Sequence, residues 1–163
     1  MALLEEIRPP RPEERAAFLA IAQEYLPGIA PERIADMPLS LCIACGDRLL
    51  GVAYAEERTK DELCLQGIAV VHPYAAQGRG SALLRALEEE ARRRGYAAIS
   101  LGSADGYVEH FYQKNGYVPT ELKIFSKSGV TVLPVVDYDA MDKPRLTAEH
   151  GGEHSFFVFR KEL

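Results

Sequence analysis

Six residues, Gln77-Gly78-Arg79-Gly80-Ser81-Ala82, have the types and spacing to bind an anion through the backbone. Two glycines, a serine and an alanine leave little side-chain bulk around the main-chain N–H groups. Residues 63–71 ahead of them (LCLQGIAVV) read as a buried strand ending at His72-Pro73. Behind them, Leu83, Leu84, Leu87 and Ala91 repeat as the stripe of an amphipathic helix. A strand-to-helix turn presents N–H groups without partners at the helix N-terminus, and the helix dipole adds to their attraction for phosphate. A sharp chain reversal alone would also call for glycine. No lysine followed by Ser or Thr closes the turn, and the spacing is not G-x-G-x-x-G, so ATP and dinucleotides are demoted.

The elements that must position this turn follow from periodicity. Residues 3–7 suit a first strand. Pro12 fits the first turn of a helix, Glu13 and Glu14 favour its dipole, and Phe18, Ile21, Ala22 and Tyr25 form its buried stripe. Pro27-Gly28 stops that helix, and a short one is expected over residues 31–37. Residues 41–45 and 49–56, joined by Gly46-Asp47, read as a hairpin. After the 63–71 strand and an 81–94 helix closed by Gly95 comes a short apolar strand over 97–101. It runs parallel to its predecessor if the helix is a crossover. A helix over 106–115 stops at Asn115-Gly116, and residues 121–125 and 155–160 are the last strands. The chain is of the α/β class.

Composition narrows the partners. With 163 residues the chain suits one domain, spanning 1–163, that buries about two-thirds of its surface. A net charge of −5 argues against nucleic acid, and the one basic cluster, Arg92-Arg93-Arg94, is explained as a solvated helix face pairing at i,i+4 with Glu88, Glu89 and Glu90. No apolar run approaches the ~20 residues of a membrane span and no signal peptide opens the chain, so a cytoplasmic location with no membrane partner is expected. Cys42 and Cys45 form a C-x-x-C, but they lie in a strand that points them to opposite faces, and no second Cys/His pair has zinc spacing. They read as core packing, and no metal site is expected.

Three pieces together resemble the GNAT N-acetyltransferases. Gln77-x-x-Gly80-x-Ala82 is similar to the family's Q/R-x-x-G-x-G/A pyrophosphate signature. Ile68-Ala69-Val70-Val71-His72-Pro73 resembles the fourth strand, and Phe111-Tyr112-Gln113-Lys114-Asn115-Gly116-Tyr117 resembles the F-Y-x-K-x-G-F/Y block. Family members commonly place two residues between the proline and the Q/R; Tyr74, Ala75 and Ala76 make three here, which suggests a slight bulge. The resemblance implies a mixed central sheet of about seven strands flanked by about four helices, with acetyl-coenzyme A as cosubstrate. It implies that Gln77, Gly78, Arg79, Gly80, Ser81 and Ala82 cradle the pyrophosphate. The pantetheine arm would pair with freed backbone near Ala69, Val70 and Val71, whose N–H groups would also stabilise the oxyanion. Asp105 falls where relatives carry a pantetheine-contacting asparagine, though it equally suits the N-cap of the next helix. Tyr112 is the catalytic candidate, protonating or hydrogen-bonding the departing thiolate; the alternative is that it packs with Val108 and Phe111.

A primary amine must lose a proton to react, and the general base stays open. Glu62 and Gln66 are the nearest candidates on the fourth strand, and Gln66 serves only to orient a water. Ser100 and Gly102 occupy the end of the fifth. Glu109 shares a helix face with Tyr112, and Asp137 and Asp139 lie in the late loop; each carboxylate reads as an ordinary surface group, leaving a water chain as well. His72 and His110 read as structural. Acceptor identity is assigned to residues 27–38 and to the long stretch 126–154, which would cover the acceptor site, form an additional hairpin or pack in a homodimer. Its Asp137-Tyr138-Asp139 triplet leans toward an amine. The expected activity is direct acetyl transfer to a small-molecule amine in a ternary complex. The alternatives are transfer to a protein N-terminus or lysine, and a non-catalytic coenzyme A-binding module.

Overall fold

The computed structural model describes residues 3–103 and 106–163. They form two compact units, the first running to Ile99 and including Leu163, the second drawn from Ser100–Glu162.

In the first unit, β1 (Glu5–Arg8), β2 (Leu39–Cys45), β3 (Arg48–Thr59) and β4 (Glu62–Val70) pair in that order, each antiparallel to the next. A 3-10 turn, Pro12–Glu14, leads into α1 (Arg15–Tyr25), and α2 (Pro31–Ala35) follows. Strand β3 is buried on both faces from Leu49 to Ala55, as a strand packed between layers must be. Its Val52 and Tyr54 join Cys42, Phe18, Ala22, Ile34 and Met37 in a core beneath α1 and α2. Helix α3 (Arg79–Arg93) packs on β2, β3 and β4 through Leu83, Leu84, Leu87 and Ala91. It ends where Gly95 adopts φ 92° and the Tyr96 amide bonds the Ala91 carbonyl at 3.0 Å.

The charged end of α3 differs from expectation. Arg92 pairs with Glu89 and Arg93 with Glu90, both at i,i+3; only Arg94 reaches Glu90 at i,i+4, while Glu88 is buried. Cys42 is fully buried, burial pushing its thiol up to about 11, and Cys45 is half-buried; both are free. Among the described residues no cluster of three or more His, Cys, Asp or Glu side chains is arranged to hold a metal. Nor is any of their helices long and apolar enough to cross a membrane.

The second unit takes the end of β5 (Ala98–Ser103), α4 (Gly106–Lys114), β6 (Val118–Ser126), β7 (Gly129–Pro134), α5 (Asp142–Glu149) and β8 (His154–Glu162). Strand β6 is antiparallel to both β7 and β8. Among the described residues, eight strands and five α-helices thus replace the expected seven or so strands and four or so helices. The two additions, β7 and α5, both fall in the 126–154 stretch, where an additional hairpin was one of the expectations. A turn at Lys127-Ser128 returns β7 along β6, with four of its six residues exposed, so its apolar signal is diluted. Helix α5 carries Pro144 in its first turn, where no intrahelical N–H is required.

Candidate active site

In the first unit, the turn after β4 runs into the N-terminus of α3. Helix α3 begins at Arg79, with Gly78 as its N-cap at a left-handed φ of 83°. A side chain there would be strained although the space around it is open, with no atom within 4 Å of a Cβ position. The first intrahelical bond runs from the Ala82 amide to the Gly78 carbonyl at 3.1 Å. The amides of Gly78, Arg79 and Gly80 precede it and have no carbonyl one turn back to bond. Just before Gln77, Ala76 takes a left-handed φ of 61°.

Side chains brace the turn rather than fill it. The Arg79 guanidinium bonds the Glu5 carboxylate at 2.6 Å, the Gln77 Oε1 at 2.6 Å and the Tyr74 carbonyl at 3.2 Å. It also lies 5.5 Å over the Tyr74 ring. Arg79 in turn holds the Glu5 carboxyl below the usual carboxylate range.

Strand geometry discriminates among the three backbone candidates. The Val71 amide donates to the Leu50 carbonyl at 2.8 Å, so it is already committed to β3. Ala69 pairs with Val52 and, two residues away, points its peptide groups the same way; Val70, paired with Gly51, directs its N–H away from β3. Of the three amides, that of Val70 is the one that faces away from β3.

Tyr112 lies in the second unit on α4, 7 % exposed, among aromatic rings: Phe111 at 5.2 Å, Tyr117 at 5.8 Å and Phe159 at 6.5 Å. Its carbonyl accepts from the Tyr117 amide at 3.0 Å across Gly116, whose φ of 90° closes the helix. Burial pushes the Tyr112 phenol up to about 12. Asp105 lies outside the described residues.

The carboxylates separate sharply. Glu62 pairs with Arg58 at 3.6 Å, and Asp137 and Asp139 are exposed. Glu109, by contrast, is no surface group: it is 1 % exposed. It accepts from Ser103 Oγ at 3.3 Å and from the Tyr138 hydroxyl, and pairs with Lys143 Nζ at 3.4 Å. Ser103, Tyr138 and Lys143 were not candidates, because their meeting depends on the path of the 126–154 stretch. The i,i+3 relation of Glu109 to Tyr112, on the apolar side of α4, was the available signal.

The model of the acetyltransferase (GNAT) family matches residues 2–117, which include the turn, β4 and the Phe111–Tyr117 block. The chain belongs to this family. As a GNAT acetyltransferase it is an acyltransferase whose donor is acetyl-coenzyme A. No curated protein sequence matches the chain. Solved structures with the same fold include Ard1 from Thermoplasma volcanium, at 17% identity and TM-score 0.70, covering 98% of this chain and 97% of that one. The ribosomal-protein-S18-alanine N-acetyltransferase from Escherichia coli matches at 17% and 0.69 over 98% and 94%. An aminoglycoside 6'-N-acetyltransferase complexed with coenzyme A matches at 15% and 0.71 over 96% of each chain.

Proposed function

We propose that this GNAT acetyltransferase moves the acetyl group of acetyl-coenzyme A directly onto a small primary amine, within one ternary complex and one catalytic domain. The observation that carries the donor side is the first turn of α3, with Gly78 as a left-handed N-cap and the Gly78–Gly80 amides ahead of the first helical bond. Gln77, Ser81 and Ala82 complete that cradle in the proposal, with Arg79 contributing its amide while its guanidinium stays on Glu5. The Val70 N–H is the proposed donor to the thioester oxygen as charge develops there. In the reaction the amine nitrogen bonds the carbonyl carbon, the carbon–sulfur bond breaks, and the nitrogen's proton passes to water.

Tyr112 is the proposed partner of the leaving sulfur. Its phenol, at about 12, is a weaker acid than a thiol near 8.5, so full proton transfer to a thiolate runs uphill. Hydrogen-bond donation is therefore the proposed role, and it costs nothing in proton supply at neutral pH. The exposed Asp137 and Asp139 favour a cationic acceptor. A cytoplasmic location is part of the same reading.

The test is calorimetric titration of acetyl-coenzyme A, followed by thiol release over a panel comprising an aliphatic diamine, a polyamine, an aminosugar and short peptides with free N-termini. Saturable donor binding with turnover on a small amine is expected. Turnover only on peptides would replace the acceptor class, and binding without turnover would leave a coenzyme A-binding module.

A further inference from the structure

The Glu109 cluster joins the end of β5 and α4 to a stretch 29 to 34 residues further along the chain. Ser103 closes β5, Glu109 sits in α4, and Tyr138 and Lys143 come from the segment between β7 and α5 and from α5 itself. Three donors converge on one carboxylate that is 1 % exposed. Burying an ionised carboxylate is a poor way to add stability, since apolar side chains of similar volume do as well or better. What such a group supplies is a unique arrangement of the pieces it ties.

The contacts around it run toward Tyr112. Tyr138, held by Glu109 at its hydroxyl, packs its ring 5.1 Å from Phe157 and 6.0 Å from Phe159. Phe159 is in turn 6.5 Å from the Tyr112 ring. Glu109 and Tyr112 also share one face of α4 at i,i+3. Lys143 lies 5.9 Å over the Phe157 ring, so the same aromatic cluster meets both donors from the inserted segment.

From this we infer that Glu109 is a positioning residue for acetyl transfer, locking the Tyr138-to-Lys143 segment and the Tyr112-bearing helix α4 into one piece. The inference rests on the reading of Tyr112 given under the proposed function. It assigns Glu109 the placing of reacting groups and not the removal of a proton.

The test pairs Glu109→Ala with Glu109→Gln. The glutamine keeps one acceptor oxygen and an amide NH2 in place of the other, which the Ser103 or Tyr138 hydroxyl can accept from, whereas the alanine keeps neither. Hydrogen exchange of the whole protein should show residues 108–114 and 135–143 losing protection together in Glu109→Ala, by about tenfold or more, and staying near the parent in Glu109→Gln. With the best amine of the panel, kcat should fall by up to about a hundredfold in Glu109→Ala while the KM for acetyl-coenzyme A holds. Glu109→Gln should retain most of the parent's kcat. Equal loss of kcat in both variants with protection intact would make Glu109 the base and overturn the inference. Unchanged protection of 135–143 in Glu109→Ala would overturn it too. Should Glu109→Ala fail to fold, Tyr138→Phe and Lys143→Met each remove one donor, and loosening confined to the mutated segment counts against the lock. If the parent acetylates no amine, the exchange experiment still decides the lock, and the transferase reading alone falls.

Discussion

The turn in the first unit and the Glu109 cluster in the second solve opposite problems. The turn keeps side chains out: Gly78 leaves its surroundings open, and the one large side chain, Arg79, is folded back onto Glu5. The cluster brings side chains in, converging Ser103, Tyr138 and Lys143 on a carboxylate hidden from solvent. The first depends on residues adjacent in sequence, and its damage should appear as lost ligand affinity. The second depends on residues up to 40 positions apart, and its damage should appear as lost order.

The largest contrast is expected from Gly80→Glu. A carboxylate in the first turn of α3 opposes the donor's pyrophosphate at close range, a like-charge cost of several kcal/mol, or about a hundredfold or more in donor Kd by calorimetry. The same charge favours the helix dipole, so Tm should not fall. A drop in Tm with unchanged Kd would remove the distinction between the regions.

Gly67→Ala comes next and acts in the opposite sense. A Cβ at Gly67 would overlap the Tyr54 ring, 2.5 Å from its hydroxyl, so chemical denaturation should show a loss of about 1–3 kcal/mol. Tyr112→Phe, in the second unit, should lower kcat by about tenfold or more, the value of a hydrogen bond to a charged group, with donor Kd unchanged. Equal rates would return Tyr112 to aromatic packing alone.

Smaller effects separate the units by pH. The Arg8 guanidinium, aided by the Arg11 amide, holds Glu14 at about 2, below its ordinary 4.5. Its contribution is therefore present above pH 4.5 and lost as pH falls toward 2, and Glu14→Gln should flatten that acid limb. Burial raises Tyr112 from 10 to about 12, so its contribution is complete below pH 10 and lost as pH rises through 12. Tyr112→Phe should flatten part of the alkaline limb. The smallest expected effect is Tyr54→Phe: its hydroxyl is buried with no hydrogen-bond partner among the described residues, so its removal should raise stability by up to about 1 kcal/mol.

These contrasts explain what could be read from the sequence. The amphipathic stripe of α3 and the glycine punctuation of the turn are local patterns that the structure keeps, whereas the expected buried strand over 63–71 becomes β4, whose Leu63, Leu65 and Gly67 are buried and alternate with half-buried neighbours, Ile68 to Val70 being half-buried throughout. The Phe111–Tyr117 block was legible for the same reason, its stop being set by Gly116 at φ 90°. Strand β7 was not legible, because an edge strand with exposed Val130 and Val132 lacks a buried face to announce it. Glu109 was misread as a surface carboxylate because its donors arrive from Tyr138 and Lys143, whose approach no local pattern encodes. Which of Ala69, Val70 and Val71 turns an amide outward likewise needed the register with β3, fixed by the Val71–Leu50 bond.

The pairing of Arg79 with Glu5 has a consequence for what the turn attracts from solution. The formal charges of Gln77 to Ala82 and Glu5 sum to zero, so in the proposed cradle these residues act through amide dipoles. A dipolar site exerts its pull at contact, well inside the Debye length of about 8 Å that governs attraction between free charges at physiological salt. With a chain charge of −5 around it, such a site does not gather polyanions at a distance. It selects by fit after encounter, and its donor affinity should vary little with ionic strength.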